Sequence, residues 1–394
     1  MYTHTPTIFN HLLNQIPKAL FDGLVGQHQT DRYKKHFTTK SLFVTMLYAQ
    51  ATGKDSLRAI VTGLNTHHDL HYHLWLSSQK SVKRTTIAHG NGSCDSVIFE
   101  RLFYEMLKLC KQFDPWRKFD GDLNVYSLDS TTIRVSLNLI ERAKYQTMKG
   151  AIKMHILLQN KSSIPEVITI TDGKNADIKI GKLIANKDTL EAWSIVVFDR
   201  AYLDYERRTE LDQSKISFVS RMKKNIDYLV EDKIIVSEPY VMKDEKISIF
   251  NPNSPKTYKW LLRRIEYLAP EDGKRYVFIT NNFDLSAGQI AQIYKNRWKI
   301  ELFFKRIKQN LKIKHFLWTT ENAVRNQIRI AMIYYLLLNY IKYKCNQKIS
   351  LLELTRLFAE ALMLRASIID ILWLNTAKIS LISSRASPYQ PWLF

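Results

Sequence analysis

Cysteine is scarce in this chain. Three residues, Cys94, Cys110 and Cys345, are scattered over 394 positions and form no CxxC pair. An odd, dispersed set argues against both a disulfide framework and a structural zinc cluster, and a reducing cytoplasm is the simplest setting. Long apolar runs are also missing. The longest, IRIAMIYYLLLNYI over 328–341, is interrupted by Arg329 and Asn339. It falls short of the ~20 residues a spanning helix needs and reads as a buried helix, so no membrane partner is expected. The opening MYTHTPTIFNHLL has no basic start followed by an apolar stretch, so no signal peptide is expected. Gly, Pro and Ser tracts are absent and 45% of residues are hydrophobic, which argues against disorder. The clearest shortage is of negative charge: 37 Asp+Glu stand against 58 Lys+Arg, a net charge of +21. Such a surplus favours a polyanionic partner, because each phosphate met by Lys or Arg releases counterions.

The chain is long enough for two or three domains. Up to about residue 118, apolar positions recur at intervals of three and four, as in IFNHLLNQI, SLFVTMLYAQA and VIFERLFYEMLKLC. That period predicts helices. Ser81–Thr86 followed by IAHGN could open a helix-turn-helix-like unit with Lys83 and Arg84 near phosphate, or be a structural turn. His67, His68, His71 and His73 cluster, but no Cys or carboxylate stands at ligand spacing, so a metal site does not follow.

From about 122 the texture changes to β-branched runs. NVYSLDSTTIRVSL, AIKMHILLQ and PEVITIT come in succession, and SIVVFD and ISFVSRM then alternate with helical stretches. This order predicts a mixed α/β sheet covered by helices rather than a doubly wound one. Residues 225–285 read as short strands broken by NPNSP and PEDG, a β-rich insertion. DLSAGQIAQIYKNRWKIELFFKRIKQNL (284–311) reads as one long helical region with Ser286 as its N-cap, and the tail from 320 is mostly helical.

Within that helical region, 295–314 holds eight Lys or Arg and one acid, Glu301. An ion pair of Glu301 with Arg297 or Lys305 would explain the acid without any function. At 100° per residue, however, Tyr294, Arg297, Glu301, Lys305 and Lys308 share one stripe roughly 80° wide. The stripe borders the apolar face of Ile293, Ile300, Phe303, Phe304, Ile307 and Leu311, with Trp298 on its other flank. A carboxylate there, flanked by cations, suits a metal ion beside a phosphate. Two further acids offer themselves. Asp199 ends SIVVFD, a strand buried on both faces, and ligands gather at the carboxyl ends of such strands. Asp129 interrupts the strand NVYSLDSTT, where strand propensity disfavours Asp. Each alone could be a turn or a cap. Asp172, Asp177 and Asp204 are nearby decoys in turn-like or helix-start settings. Two strand-borne Asp and one helix-borne Glu, with no His or Cys, form an all-oxygen set suited to Mg²⁺ or Mn²⁺. Two such ions serve in-line phosphodiester displacement.

Tyr294, Arg297, Glu301 and Lys308 fit Y-x2-R-x3-E-x6-K, and in this the chain resembles the DDE transposases of the insertion-sequence-4 family. Asp129 in YSLDSTTIR and Asp199 in VVFDRAYLDYE look like that family's first and second acids. The helical stretch from about 4 to 75 looks like the small domain that precedes the catalytic domain in one branch. The resemblance implies an α+β fold: an RNase H-like catalytic core split by a β-rich insertion, preceded by helices and followed by a helical tail. The expected regions are a helical DNA-binding region (1–118), the first part of the core (119–224), the insertion (225–285), the core helix with the third acid (286–318) and the helical tail (319–394).

It also implies that Asp129, Asp199 and Glu301 are catalytic and ligate two ions, Mg²⁺ or Mn²⁺. Tyr294, Arg297 and Lys308 would grip phosphates, with Lys305 beside them in the stripe. Trp298 would stack near the element's end. Trp260 is either a core aromatic of a β hairpin or a wedge against a flipped base. The expected partner is double-stranded DNA, both element ends and target, in a homodimeric synaptic complex at the nucleoid. The expected chemistry is cleavage at terminal inverted repeats, a hairpin intermediate and joining to target. An RNase H-like nuclease or recombinase without strand transfer, and a non-catalytic basic DNA-binding protein, remain as alternatives.

Overall fold

A computed structural model describes residues 6–76, 81–113, 123–134, 151–172, 177–203, 210–223, 226–249, 260–310 and 320–373. Leu311, Asp204 and the tail beyond 373 lie outside these residues, as do the side chains of Asp172 and Trp260. The chain divides into two compact units, one of residues 1–115 with 309–394 and one of residues 116–308.

The first unit is helical. Its described helices are α1 (Ile8–Leu13), α2 (Lys18–Gln27), α3 (Thr39–Ala51), α4 (Leu57–Thr66), α5 (Arg84–Ser93) and α6 (Ser96–Gln112), followed from the far end of the chain by α10 (Glu321–Lys344), α11 (Leu351–Ala361) and α12 (Ile368–Trp373). Helix α10 contains the apolar run 328–341, buried along its whole length. Its two polar interruptions are satisfied inside the unit: Arg329 pairs with Glu100 at 2.8 Å, and Asn339 donates to the Tyr335 carbonyl. Among the described residues no helix is long and apolar enough to cross a membrane. Phe43 packs between Phe21 and Phe99 at centroid distances of 5.2 and 6.0 Å. The early and late segments of this unit meet where Phe9 N donates to Leu362 O.

The second unit is built on a nine-stranded sheet. Its strands are β1 (Val125–Arg134), β2 (Ala151–Gln159), β3 (Pro165–Asp172), β4 (Ile195–Phe198), β5 (Ser217–Arg221), β6 (Tyr228–Lys233), β7 (Val241–Ile249), β8 (Trp260–Leu268) and β9 (Arg275–Thr280). They lie in the order β3-β2-β1-β4-β5-β9-β8-β7-β6. β1, β4 and β5 are parallel neighbours, whereas β2 and β3 form an antiparallel meander on β1. This 3-2-1-4-5 arrangement is the RNase H-like core. The β-rich segment extends the same sheet, because β9 pairs antiparallel with β5.

Side-chain alternation gives the core strands two buried faces. Tyr126, Leu128, Val196, Phe198 and Phe218 pack with Ile180 and Ile184 of α7 (Asp177–Ile184). Ile195, Val197 and Val219 pack on the other face with Ile290, Ile293 and Tyr294 of α8 (Ala287–Lys295). Ser286 caps α8 in a full capping box with Gln289. The helical region is not continuous. It breaks at Asn296–Arg297 before α9 (Trp298–Asn310), where the ladder tightens to i→i−3 bonds from Arg297, Lys299 and Ile300. The stripe thus spans two helices rather than one, and the tighter turn between them shifts the angular spacing of Tyr294 from the residues after it. Within α9 the apolar side is buried as its spacing requires, with Ile300, Phe303, Phe304 and Ile307 inside.

Candidate active site

The parallel register of β1 and β4 runs from Val125↔Ile195 to Leu128↔Phe198. Asp129 and Asp199 are the next residue on each strand. Odd-numbered positions on these strands face α8, so alternation directs both acids toward the helical face from which Glu301 approaches. Asp129 is still inside β1, paired with Ile156 of β2, and its Oδ1 accepts from Ser130 N at 2.8 Å. Asp199 directly follows β4 and caps the 3-10 turn Arg200–Tyr202, accepting from Arg200 N at 2.7 Å. Glu301 lies in the first turn of α9.

Arg297 joins two of these acids. It donates to Asp129 Oδ2 at 3.3 Å and, through its other terminal nitrogen, to Glu301 one turn on. The ion-pair reading of Glu301 is thus met, but the same guanidinium also holds the strand-borne acid. Its Nε is buried with no hydrogen-bond partner. Burial pushes the Asp129 carboxyl up to about 6, and the charges of Asp199 and Glu301 add to the rise, against the pull of the Ser130 amide and Arg297. Asp199 and Glu301 are therefore each within electrostatic range of Asp129.

Tyr294 is buried against Phe278, with ring centroids 4.9 Å apart. Arg297 lies 5.8 Å from the Tyr294 centroid, and Arg221, from the end of β5, lies 5.5 Å from it and 4.4 Å from that of Tyr276. These groups line a cavity of about 300 Å³ with Trp298 and Lys295. Trp298 is 58% exposed at its edge. Lys305 is exposed and Lys308 half-buried on α9. Trp260 opens β8. Arg221 was not singled out from the sequence, although it ends a strand parallel to those of Asp129 and Asp199, the same positional signal that marked the acids.

Asp177, set aside from the sequence as a decoy, is a hydrogen-bonding hub. It begins α7 and receives Lys153 Nζ at 2.7 Å, Ser130 Oγ at 2.9 Å and Tyr202 OH at 3.4 Å. Burial alone would raise its carboxyl, but the hydrogen bonds from Lys153 and Ser130 hold it below the usual range. The buried His155 beside it is pushed down to about 4, chiefly by burial, and so is neutral at pH 7.

Residues 120–337, more than half of the chain, match the transposase DDE domain. The chain belongs to the DDE transposase family. It is accordingly an enzyme of that class. Residues 4–76 of this DDE transposase match a domain of unknown function, DUF4372. The transposase is 29% identical over 269 residues to a probable transposase for insertion sequence element IS5377 of Geobacillus stearothermophilus, covering 66% of this chain and 69% of that protein. It is 34% identical over 235 residues to y4zB of Sinorhizobium fredii, named as a transposase, covering 58% of this chain and 64% of the relative. A piggyBac transposase synaptic complex with hairpin DNA aligns over 95% of this chain and 84% of that chain, at 11% identity and a TM-score of 0.45.

DDE transposase domains generally use divalent metal ions. The residues of this transposase fit such an ion in chemistry: Asp129, Asp199 and Glu301 offer only carboxylate oxygens, and Arg297 pairs with two of them. Among the described residues, no three His, Cys, Asp or Glu side chains are grouped closely enough to hold an ion by themselves. This applies to the His67, His68, His71 and His73 group too. Arg297 bridges two of the acids, Asp129 and Glu301.

Proposed function

We propose that this DDE transposase belongs to the insertion-sequence-4 type, with Tyr294, Arg297, Glu301 and Lys308 as its Tyr-Arg-Glu-Lys signature. It cuts its own element at the terminal inverted repeats and joins the freed ends to target DNA, through a hairpin on the element end. Asp129, Asp199 and Glu301 are its catalytic acids and would hold two Mg²⁺ or Mn²⁺ ions. Such ions, when bound, activate the attacking oxygen and stabilise the leaving one.

The chain's own groups do the holding. Tyr294, Arg297 and Lys308 grip phosphates near the scissile strand, with Lys305 extending the basic face. Trp298 stacks on a base at the element end, a contact worth ~1–3 kcal/mol. Trp260, at the start of β8, is either a wedge against a flipped base or a core aromatic of the insertion. The helical region before residue 118 binds the ends, and two copies pair them in a synaptic complex.

The observation that supports this best is the Arg297 bridge between Asp129 and Glu301, in a chain whose DDE domain spans both. Divalent metal and a labelled duplex of the element's terminal repeat test it. Hairpin and target-joined products are expected. Cleaved strands alone would instead mark a nuclease, and no metal-dependent product would leave a non-catalytic DNA binder.

A further inference from the structure

Asp177 lies on the opposite side of β1 from the acids and touches three elements at once. Ser130 Oγ, one residue after Asp129, donates to it at 2.9 Å. Tyr202 OH, three residues after Asp199, donates to it at 3.4 Å. Lys153 of β2 completes the set at 2.7 Å. The Tyr202 hydroxyl also lies 3.5 Å from Nδ1 of His155, whose Nε2 meets Thr171 Oγ1 of β3 at 3.1 Å. His155 is the β2 partner of Ser130, so one network spans β3, β2, β1 and the turn after β4. Tyr202 and His155 are buried, Asp177 largely so.

The β1/β4 ladder ends at Leu128↔Phe198, one residue before each acid, so it restrains the backbone up to that step but pairs neither Asp129 nor Asp199. Asp177 ties the two segments at the step where that pairing ends. We propose that Asp177 is a positioning residue that, through Ser130 and Tyr202, fixes the separation of the Asp129 and Asp199 carboxylates. The inference rests on the catalytic assignment of those acids. Its physical basis is that partners behind a ligand set ligand geometry, and their loss costs about 10–100-fold in activity or metal affinity.

Asp177→Ala and Asp177→Asn test it in the full chain. Asn keeps an acceptor for Ser130 and Tyr202 but loses the charge opposite Lys153. Asp177→Ala should leave the affinity for element-end DNA within about twofold, lower cleavage at saturating DNA by about 10–100-fold and raise the Mn²⁺ concentration for half-maximal cleavage by about tenfold. Asn should restore much of both. Unchanged rate and metal requirement in Asp177→Ala would overturn the proposal. If that variant fails to fold, Tyr202→Phe and Ser130→Ala, which each remove one arm and bury no charge, carry the same expectations.

Hydrogen exchange of the metal-free protein supplies a readout apart from activity. Asp177→Ala should speed exchange at Asp129–Thr132 and Arg200–Leu203 together. A change confined to 177–184 would overturn the positioning role, even if the wild type cuts normally. A wild type that never cuts would overturn the catalytic assignment instead, and exchange alone would then decide whether Asp177 couples the two segments.

Discussion

The Arg297 guanidinium reaches Asp129 Oδ2 at 3.3 Å, across 168 positions of sequence, and holds Glu301 with its other terminal nitrogen. One cation from the start of α9 thus sits between a strand-borne and a helix-borne acid. It is the only guanidinium or ammonium group recorded on Asp129 among the described residues. Burial nevertheless pushes the Asp129 carboxyl upward despite its ion pair, and the charges of Asp199 and Glu301 add to the rise.

The pH dependence of stability follows with a definite sign. The Asp129 carboxyl is raised from 3.8 to about 6, so between those values the folded state binds more protons than the unfolded. Stability should therefore fall as pH rises from about 4 to about 6 and then level off, by on the order of 1–3 kcal/mol in the metal-free protein. Asp129→Asn removes this loss. Melting temperature against pH should show the variant gaining on the wild type across that window. Parallel curves would contradict the burial argument.

Arg297→Gln should weaken binding to element-end DNA and reduce the magnitude of the salt slope, log K against log salt, by about one for the lost phosphate contact. Anisotropy titrations at several salt concentrations measure both. Weakened binding with an unchanged slope would mean Arg297 acts only within the protein.

The start of α8 depends on a residue from the β-rich segment. Glu238 accepts from Ala287 N at 3.0 Å, Gly288 N at 2.8 Å and Ser286 Oγ at 3.0 Å. A Cβ at Gly288 would run into that carboxylate. Glu238→Ala should cost about 1 kcal/mol, as caps and helix-terminal charges do. Gly288→Ala should act by expelling the same carboxylate, so the double variant should cost less than the sum. Urea midpoints measure the cycle, and simple additivity would rule out the shared contact.

The placement of Asp199 just after a strand buried on both faces, and of Asp129 inside a strand that disfavours Asp, was legible because each leaves a local mark in sequence. Ser286 as a cap and the apolar side of α9 were legible for the same reason. The break at Asn296–Arg297 was not, since neither Pro nor Gly marks it and it arises from i→i−3 bonds that local sequence does not dictate. Asp177 sits in TDGKNAD, whose composition reads as a turn, and its partners Ser130, Lys153 and Tyr202 come from three distant segments. Likewise the pairing of β9 with β5, which makes the β-rich segment part of the main sheet, depends on register between remote strands. Spacing along one chain carries no record of such contacts.

The central claim is that the acids at 129, 199 and 301 act together. Its most direct test is divalent-metal-dependent cleavage of labelled element-end DNA by Asp129→Asn, Asp199→Asn and Glu301→Gln, with DNA binding measured in parallel. Each single substitution is expected to abolish cleavage while leaving binding largely intact. Cleavage that survives any one of them, in protein that still binds the ends, would contradict a shared catalytic site.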